Sequence, residues 1–143
     1  MSDNPKFDVA DLDEFERKPE IESRIGTVMH FTKGRWMRVL AATDRNPRWI
    51  ARRKRIQEDL RQLPPDLTED QLKDVMAPHY AAALIIDWGG WKSGDGTDLP
   101  LTPELATFVL RKIDIYRAVQ KTVTDDLNFR GAEIEVVTKE VGN

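Results

Sequence analysis

Residues 80–105 read Y-A-A-A-L-I-I-D-W-G-G-W-K-S-G-D-G-T-D-L-P-L-T-P-E-L, and this stretch decides the predicted fold. Up to Trp88, apolar residues recur at a spacing of three or four positions, which predicts a buried helix over about 68–87. The Gly89-Gly90 pair ends that helix, and the glycines and aspartates after it predict a polar turn. Thr102 begins another helix as its N-cap. The fold is therefore predicted to rest on two helices joined by a glycine-rich loop.

The same stretch resembles the tail assembly chaperones of long-tailed bacteriophages. Those proteins often carry an alanine-rich helix that ends in a hydrophobic pair and Asp-Trp. A short Gly/Asp loop follows, and then Leu-Pro, a hydrophobic residue and Thr-Pro-Glu. The matching residues are Ala81 to Ala83, Leu84, Ile85, Asp87, Trp88, Gly90, Asp95, Gly96, Leu99, Pro100, Thr102, Pro103 and Glu104. A looser similarity covers roughly residues 30–129, and Trp91, Lys92 and Ser93 depart from the plainer charged loop of many relatives.

The resemblance implies a mainly helical protein that self-associates and binds the tape measure protein during tail morphogenesis. It implies that the protein keeps the long hydrophobic helix of that partner soluble, helps to recruit the tail tube protein, and is absent from the finished virion. Two alternatives remain open. One is a permanent structural subunit of a phage particle, such as a tail or neck component, and the other is a small nucleic-acid-binding module that uses residues 45–55.

The composition is that of one globular domain. The chain has 143 residues, 40% of them hydrophobic and 33% charged, with a net charge of −3. It contains no cysteine, which excludes a disulfide framework, a thiolate metal site and a cysteine nucleophile. No apolar run approaches the ~20 residues of a membrane span, and the N-terminus has no apolar signal segment. With the resemblance, this predicts a protein of the bacterial host's cytoplasm that makes no membrane contact.

Residues 1–23 form an acidic arm, in which carboxylates outnumber cations and apolar residues such as Phe7 and Phe15 are interspersed. The arm is interpreted either as a solvated terminus or as a segment whose apolar residues dock on a neighbouring subunit. After it, residues 25–42 change to an apolar period of two on either side of Lys33-Gly34. This predicts a short β-hairpin in which the glycine supplies the positive φ of the turn. An isolated hairpin is only marginally stable, so it must pack on the helices or on another chain.

A basic helix is predicted over about 47–63, from the Asn46-Pro47 start to the Pro64-Pro65 pair. Its cations are Arg45, Arg48, Arg52, Arg53, Lys54 and Arg55. Such a run suits phosphate binding. However, Glu58 and Asp59 follow at once and the chain is acidic overall, so we favour a solvated face or one that complements the acidic arm, in one chain or between chains.

The other two helices contain ambiguities. Pro78 predicts a kink in the helix over 68–87, or its division into two segments. The last helix, over 103–129, carries an apolar stripe made of Leu105, Phe108, Val109, Ile113, Tyr116, Val119, Val123 and Leu127. Asp114 could cap a new helix there, but no Gly or Pro forces a break, so both forms remain open.

Beyond Arg130, residues 133–138 have strand-like composition and no evident partner.

The sequence offers little metal or catalytic chemistry. Neither histidine has metal-ligand spacing, and His79 lies on an apolar helix face, where a histidine is usually a hydrogen-bonded core residue. Asp87, Asp95 and Asp98 flank glycines but lack the spacing and the bidentate glutamate of an EF-hand, which favours turn chemistry over calcium. No phosphate loop, dinucleotide fingerprint or nucleophile elbow is present. We expect no cofactor, no metal site and no enzymatic activity.

Partner binding is predicted at Asp87, Trp88, Trp91, Arg48, Arg52 and Arg55. Tryptophans in so small a domain are usually core residues, and Trp88 is assigned to the core. Trp91 lies within the glycine loop, where an aromatic side chain either packs inward or anchors a partner. The expected partners are the tape measure protein, the tail tube protein and further copies of this chain, whereas nucleic acid is less favoured.

The predicted fold class is mainly α, a single domain of about four helices with a small N-terminal β-hairpin as its minor β component. The acidic arm covers 1–23, the helical domain 24–130 and a C-terminal tail 131–143. Within the domain lie the hairpin over 25–42 and helices over about 47–63, 68–87 and 103–129.

Overall fold

The computed structural model describes residues 18–131 and 133–136. Of these residues, 53% are helical and 14% lie in strands, and four strands form one mixed sheet. The fold class is therefore α+β, and the prediction of a mainly α fold with a minor hairpin is wrong. Most of the predicted acidic arm, residues 1–17, lies outside the described residues.

The hairpin predicted over 25–42 is present as β1 (Thr27–His30) and β2 (Trp36–Val39). The two strands pair antiparallel, with Met29 opposite Met37. Gly34 in the turn has a φ of 75°, as the sequence predicts for a turn glycine.

The apolar run after the second predicted helix is a strand, β3 (Ile85–Gly89), and not the last turn of that helix. It pairs antiparallel with β2 and places Trp88 opposite Met37. By periodicity alone, a short apolar run fits a buried helix as well as a strand. The adjacent isoleucines favour the strand once the hairpin offers a free edge, because β-branched side chains suit a pleated surface. The cover that the hairpin needs thus comes from this chain.

β4 (Ile134–Glu135) pairs parallel with β1 and gives the sheet order β3-β2-β1-β4. Next to it, the Val136 amide donates to the His30 carbonyl at 2.8 Å, and the His30 ring is hydrogen-bonded to the Glu133 carboxylate. Part of the predicted tail over 131–143 is therefore a sheet strand. Residues 137 and 138 of the strand-like segment lie outside the described part of the chain.

Helix α1 (Pro47–Arg61) begins as predicted, since the Asn46 side chain accepts a hydrogen bond from the Arg48 amide at 3.0 Å. It ends two residues before the predicted limit, ahead of the Pro64-Pro65 pair. Ile56 is the one buried residue of α1, so the helix lies at the edge of the core with most of its basic residues toward solvent.

Helix α2 (Glu69–Ala83) begins with a capping box formed by Thr68 and Gln71. It runs through Pro78 without being divided into two segments. It ends at Ala83 rather than at 87, because the residues after it are drawn into β3. α2 contacts α1 and the two helices that follow, and it is the centre of the helical layer.

The helix predicted over 103–129 is divided into α3 (Pro103–Leu110) and α4 (Ile113–Val123). Thr102 caps α3 by accepting a hydrogen bond from the Leu105 amide at 3.1 Å. Lys112, and not Asp114, occupies the N-cap position of α4. Lys73 of α2 donates to the carbonyl of Arg111 at 2.7 Å, which satisfies a backbone acceptor at the break.

Candidate functional site

The glycine loop after β3 packs Trp91 inward. Trp91 is 5% exposed, and its indole N–H donates to the Trp36 carbonyl at 2.9 Å. Its ring also meets Phe31 edge-on, with centroids 5.3 Å apart. Of the two interpretations left open for Trp91, the inward one is correct, because the pairing of β3 with β2 brings the loop back onto the hairpin. A buried indole is not available as a surface anchor in this chain.

Trp88 and Asp87 differ in exposure. Trp88 is 7% exposed, as its assignment to the core predicts, and its indole N–H donates to the Leu99 carbonyl at 3.0 Å. Asp87, the residue before Trp88 on β3, is exposed, and its carboxylate accepts a hydrogen bond from the Trp88 amide at 2.9 Å. β3 therefore presents the Asp87 carboxylate to solvent, while Trp88 and Trp91 both pack in the core.

The three predicted arginines come together in a groove between α1 and α2, which we call the arginine groove. Arg48, Arg52 and Arg55 are spaced four and three residues apart, so they share one face of α1. Three alanines complete the lining around a cavity of about 150 Å³: Ala51, Ala82 and Ala83. Short apolar side chains and three guanidinium groups thus share one depression. Neither Asp87 nor the two tryptophans line it.

Arg52 is fixed in this groove by His79 and Asp59. Its Nε–H donates to Nδ1 of His79 at 2.9 Å, and Nε2 of His79 lies 2.7 Å from a carboxylate oxygen of Asp59. Because Nδ1 accepts, the proton of the neutral imidazole is on Nε2, where it is donated to Asp59. The imidazole of α2 therefore bridges two side chains of α1 that lie seven residues apart on one helical face.

Burial is the main reason why the pKa of His79 lies below its ordinary value of 6.5. The positive charges of Arg52 and Arg55 lower the pKa further, whereas the hydrogen bond to Asp59 acts in the opposite direction. A low pKa keeps the ring neutral near pH 7, which preserves Nδ1 as the acceptor for Arg52.

Arg48 and Arg55 are exposed and make no side-chain hydrogen bond or ion pair with any described residue. Arg117, by contrast, makes a two-pronged bond to Glu69 at 2.9 and 2.5 Å. The groove therefore carries positive charge that the described part of the chain does not neutralise, although the whole chain has a net charge of −3.

Chemically, the arginine groove can bind an oxyanion. Arginine presents its N–H donors in a planar fork that matches the two oxygens of a carboxylate or a phosphate. The Asp59–His79 pair is arranged like a general base with its orienting carboxylate, but the third position holds a guanidinium instead of a hydroxyl or thiol. The arrangement thus offers recognition of negative charge and contains no nucleophile at that position.

The sequence named the arginines of this groove but missed the two residues that organise it. His79 was interpreted as a hydrogen-bonded core residue, and Asp59 only as a counter-charge in the basic run. A signal was present, because Arg52 and Asp59 are seven residues apart on one helix and His79 is a polar residue on an apolar face. What the sequence lacked was the packing of α1 against α2.

Exposed apolar side chains accompany the charge. Ile50 on α1 is 44% exposed and Leu60, ten residues later on the same helix, is 36% exposed. Phe108 on α3 is 61% exposed, with the Lys112 ammonium 5.7 Å from its ring centroid. Both helices therefore offer solvent a mixture of cationic and apolar groups.

The aspartates of the glycine loop serve the turn. Asp95 accepts hydrogen bonds from the Ser93 hydroxyl and from the Thr97 amide, the latter at 3.0 Å, and the bond from Ser93 is the main cause of its pKa of about 2. Over residues 18–131 and 133–136, no three histidine, aspartate or glutamate side chains are grouped to hold a metal ion. Within the same residues, no helix is both long and apolar enough to span a bilayer.

A family model described as YdaY prophage protein matches residues 39–140. The matched segment begins at the last residue of β2 and includes α1 to α4, β3, β4 and the arginine groove. No curated protein and no solved structure matches the chain.

Proposed function

Because the chain belongs to the YdaY prophage protein family, we propose that it is a non-enzymatic tail assembly chaperone that binds the tape measure protein during phage tail morphogenesis. Family membership accounts for a phage origin. The finer assignment rests on the resemblance of residues 80–105 to tail assembly chaperones, and that stretch lies wholly inside the matched segment, residues 39–140.

The arginine groove is the observation that supports partner binding most directly. A chaperone for a long amphipathic or hydrophobic helix needs apolar contact for affinity and charge for orientation and solubility. α1 offers both, since Arg48 and Arg55 have no described counter-ion and Ile50 is 44% exposed on the same helix. Because Ile50 is two residues from Arg48 and from Arg52, it lies on another side of α1. A partner that meets the arginines takes its nearest apolar contact from the alanines that line the groove.

The proposal assigns no reaction to the chain. The Asp59–His79 pair is occupied in holding Arg52, and a guanidinium stays protonated and is a poor nucleophile at physiological pH. Self-association is part of the proposal, with the further copies of the chain and the tail tube protein as additional partners implied by the resemblance.

Co-expression tests the partner. The chain is produced together with the tape measure protein of the same prophage, and the soluble yield of that protein is measured with and without it. We expect a clear rise in yield with the unchanged chain and a reduced rise with the double variant Arg48→Gln/Arg55→Gln. The matched control is Arg53→Gln/Lys54→Gln, which removes the same charge from exposed positions of α1 that do not line the groove. An unchanged yield with the unmodified chain would contradict the proposal.

Light scattering tests self-association. If charge steers the copies together, the mean mass should exceed that of a monomer in about 50 mM salt and should fall in about 500 mM salt, because screening shortens the range of the attraction. A monomer at every concentration and salt level would remove self-association from the proposal.

A nucleic-acid-binding module is another candidate, favoured by the run of exposed cations Arg48, Arg53, Lys54 and Arg55. Binding to a short DNA duplex that survives a change from about 50 to 200 mM salt would favour this candidate, since purely electrostatic binding weakens steeply over that range. A permanent structural subunit is distinguished by another measurement, because it would be present in purified virions, whereas the chaperone would be absent from them.

A further inference from the structure

The donors of the arginine groove are only partly used within the chain. Arg52 gives its Nε–H to His79, and no described residue accepts a hydrogen bond from its Nη atoms. Arg48 and Arg55 likewise lack described acceptors. Since Arg52 is held at one end of its guanidinium, the four N–H groups on its two Nη atoms, which no residue of 18–131 or 133–136 accepts from, can receive an oxyanion. One anchored arginine and two unanchored ones therefore surround the same cavity.

The size of the cavity limits the ligand. A volume of about 150 Å³ is small beside the roughly 300–1,000 Å³ of pockets that enclose whole small molecules. It suits the end of a side chain, and the alanines of the lining leave room for its methylene groups. A whole nucleotide, with base, sugar and phosphate, is too large to be enclosed in this volume.

The surrounding charge favours a carboxylate over a polyphosphate. Asp59 lies beside the groove in contact with His79, and Glu58 is exposed next to it on α1. The last turn of α2, which contributes Ala82 and Ala83 to the lining, is the negative end of that helix. These groups repel a densely charged nucleic-acid backbone more strongly than they repel single carboxylates.

We propose that the arginine groove binds glutamate or aspartate side chains of an acidic polypeptide segment on a partner protein. This inference rests on the proposed function in that it names the chemistry by which the partner is held. Arg52 supplies a fixed, two-pronged contact to one carboxylate, and Arg48 and Arg55 close on the same or a neighbouring carboxylate from either side.

The test uses the full chain and a fluorescein-labelled peptide of eight residues with two glutamates among serines, and the same peptide with glutamines in place of the glutamates is the uncharged probe. Anisotropy titrations at about 50 mM salt should show binding of the glutamate peptide alone. Arg48→Gln and Arg55→Gln should each weaken that binding about tenfold, because each removes charge-assisted hydrogen bonds. Arg53→Gln, which removes an equal charge outside the groove, should change the affinity by less than about twofold.

Three results would overturn the inference. They are an absence of peptide binding, an equal loss of affinity with Arg53→Gln, and tighter binding of a short DNA duplex that depends on Arg48 and Arg55. The outcome is separable from that of the co-expression experiment. Peptide binding without rescue of the tape measure protein would support the acidic-segment site and contradict the chaperone function. Rescue without peptide binding would support the chaperone function and contradict the acidic-segment site.

Discussion

Gly90 is the residue at which the loop after β3 meets the hairpin turn. Its φ is 80°, and a Cβ placed there would lie 2.4 Å from the carbonyl oxygen of Gly34. We expect Gly90→Ala to lower the free energy of unfolding by roughly 2–4 kcal/mol, because a left-handed backbone and a backbone clash are both imposed on alanine. Urea denaturation measures the change. Gly94→Ala in the same loop is the matched control, since nothing lies within 4 Å of a Cβ at that position, and it should be close to neutral.

His79 gives the stability of the chain a specific pH dependence. Its pKa in the folded state is below the ordinary value of 6.5, so between these two values the unfolded state binds more protons than the folded state. The contribution of the neutral ring is therefore complete above pH 6.5 and is lost as the pH falls through the interval down to the folded-state pKa. Asp59, Arg52 and Arg55 are the charged groups that act on it.

We expect the free energy of unfolding to drop as the pH is lowered from about 7.5 to 5.5, and we expect His79→Gln to remove part of that drop. Other groups titrate in both proteins, so the measurement compares how steeply the free energy of unfolding changes with pH in the unchanged chain and in the His79→Gln variant. Parallel slopes for the unchanged chain and for the variant would show that His79 is not protonated differently in the folded and unfolded states.

At single residues, local hydrogen-bonding roles could be predicted from the sequence more accurately than the solvent exposure of side chains. The helix starts predicted at Asn46 and Thr102 depend on local hydrogen bonds and are confirmed. Phe108, which the sequence placed on a buried stripe, is 61% exposed, because α3 buries Ala106 and Leu110 and Phe108, two residues from each, lies on the opposite side of the helix. Trp91 could not be decided from sequence, since its burial depends on a strand pairing between residues far apart in the chain.

Helix α3 depends on its cap because it is short. Thr102 satisfies the Leu105 amide, and Pro103 follows in the first turn, so Thr102→Ala should cost about 1 kcal/mol of stability. Thr107→Ala in the same helix is the control. Thr107 is half-buried, but its hydroxyl donates only to the Pro103 carbonyl of the same helix in a solvent-exposed hydrogen bond, so its loss should cost less than about 0.5 kcal/mol. Thermal melts of the two variants compare them, and equal losses would contradict the role of the cap.

Among the elements, helix starts were predictable and helix ends were less so. Starts carry local signals, such as a side chain that accepts from a backbone amide, followed by proline. The end of α2 at Ala83 and the break after α3 carry no such signal. They are set by a strand partner for residues 85–89 and by the contact of Lys73 with the Arg111 carbonyl. Tertiary contacts decide both. The apolar period alone placed the end of α2 at residue 87, four residues beyond Ala83.

Over the whole molecule, β4 protects the edge of β1. A chain that ends at Arg130 lacks β4 and the bond from the Val136 amide to His30, so we expect it to lose roughly 1–3 kcal/mol of stability and to aggregate more readily on heating. A chain that ends at Val136 keeps the paired residues and is the control. Urea denaturation measures the stability and light scattering during a thermal ramp measures the aggregation. Identical behaviour of the two chains would contradict the role of β4.

The fold class could not be predicted from sequence because the sheet is assembled from distant segments. The hairpin was predictable, since its strands and turn are adjacent. Its other two partners are a strand that reads as the end of a helix and a two-residue strand near the C-terminus. The arginine groove has the same origin, because its arginines lie on one helix and the histidine that fixes Arg52 lies on the next.

The parallel pairing of β1 with β4 joins a strand that is synthesised early to one that is synthesised late. His30 and Glu133, which meet at this pairing, are 103 residues apart. At a translation rate of about 5–20 residues per second, roughly 5–20 s pass between the synthesis of the first and of the second. During that interval β1 has one uncovered edge on the nascent chain. Neighbouring ribosomes on one message would hold several such edges close together, so the speed of elongation through the helices sets how long nascent chains can pair wrongly with one another.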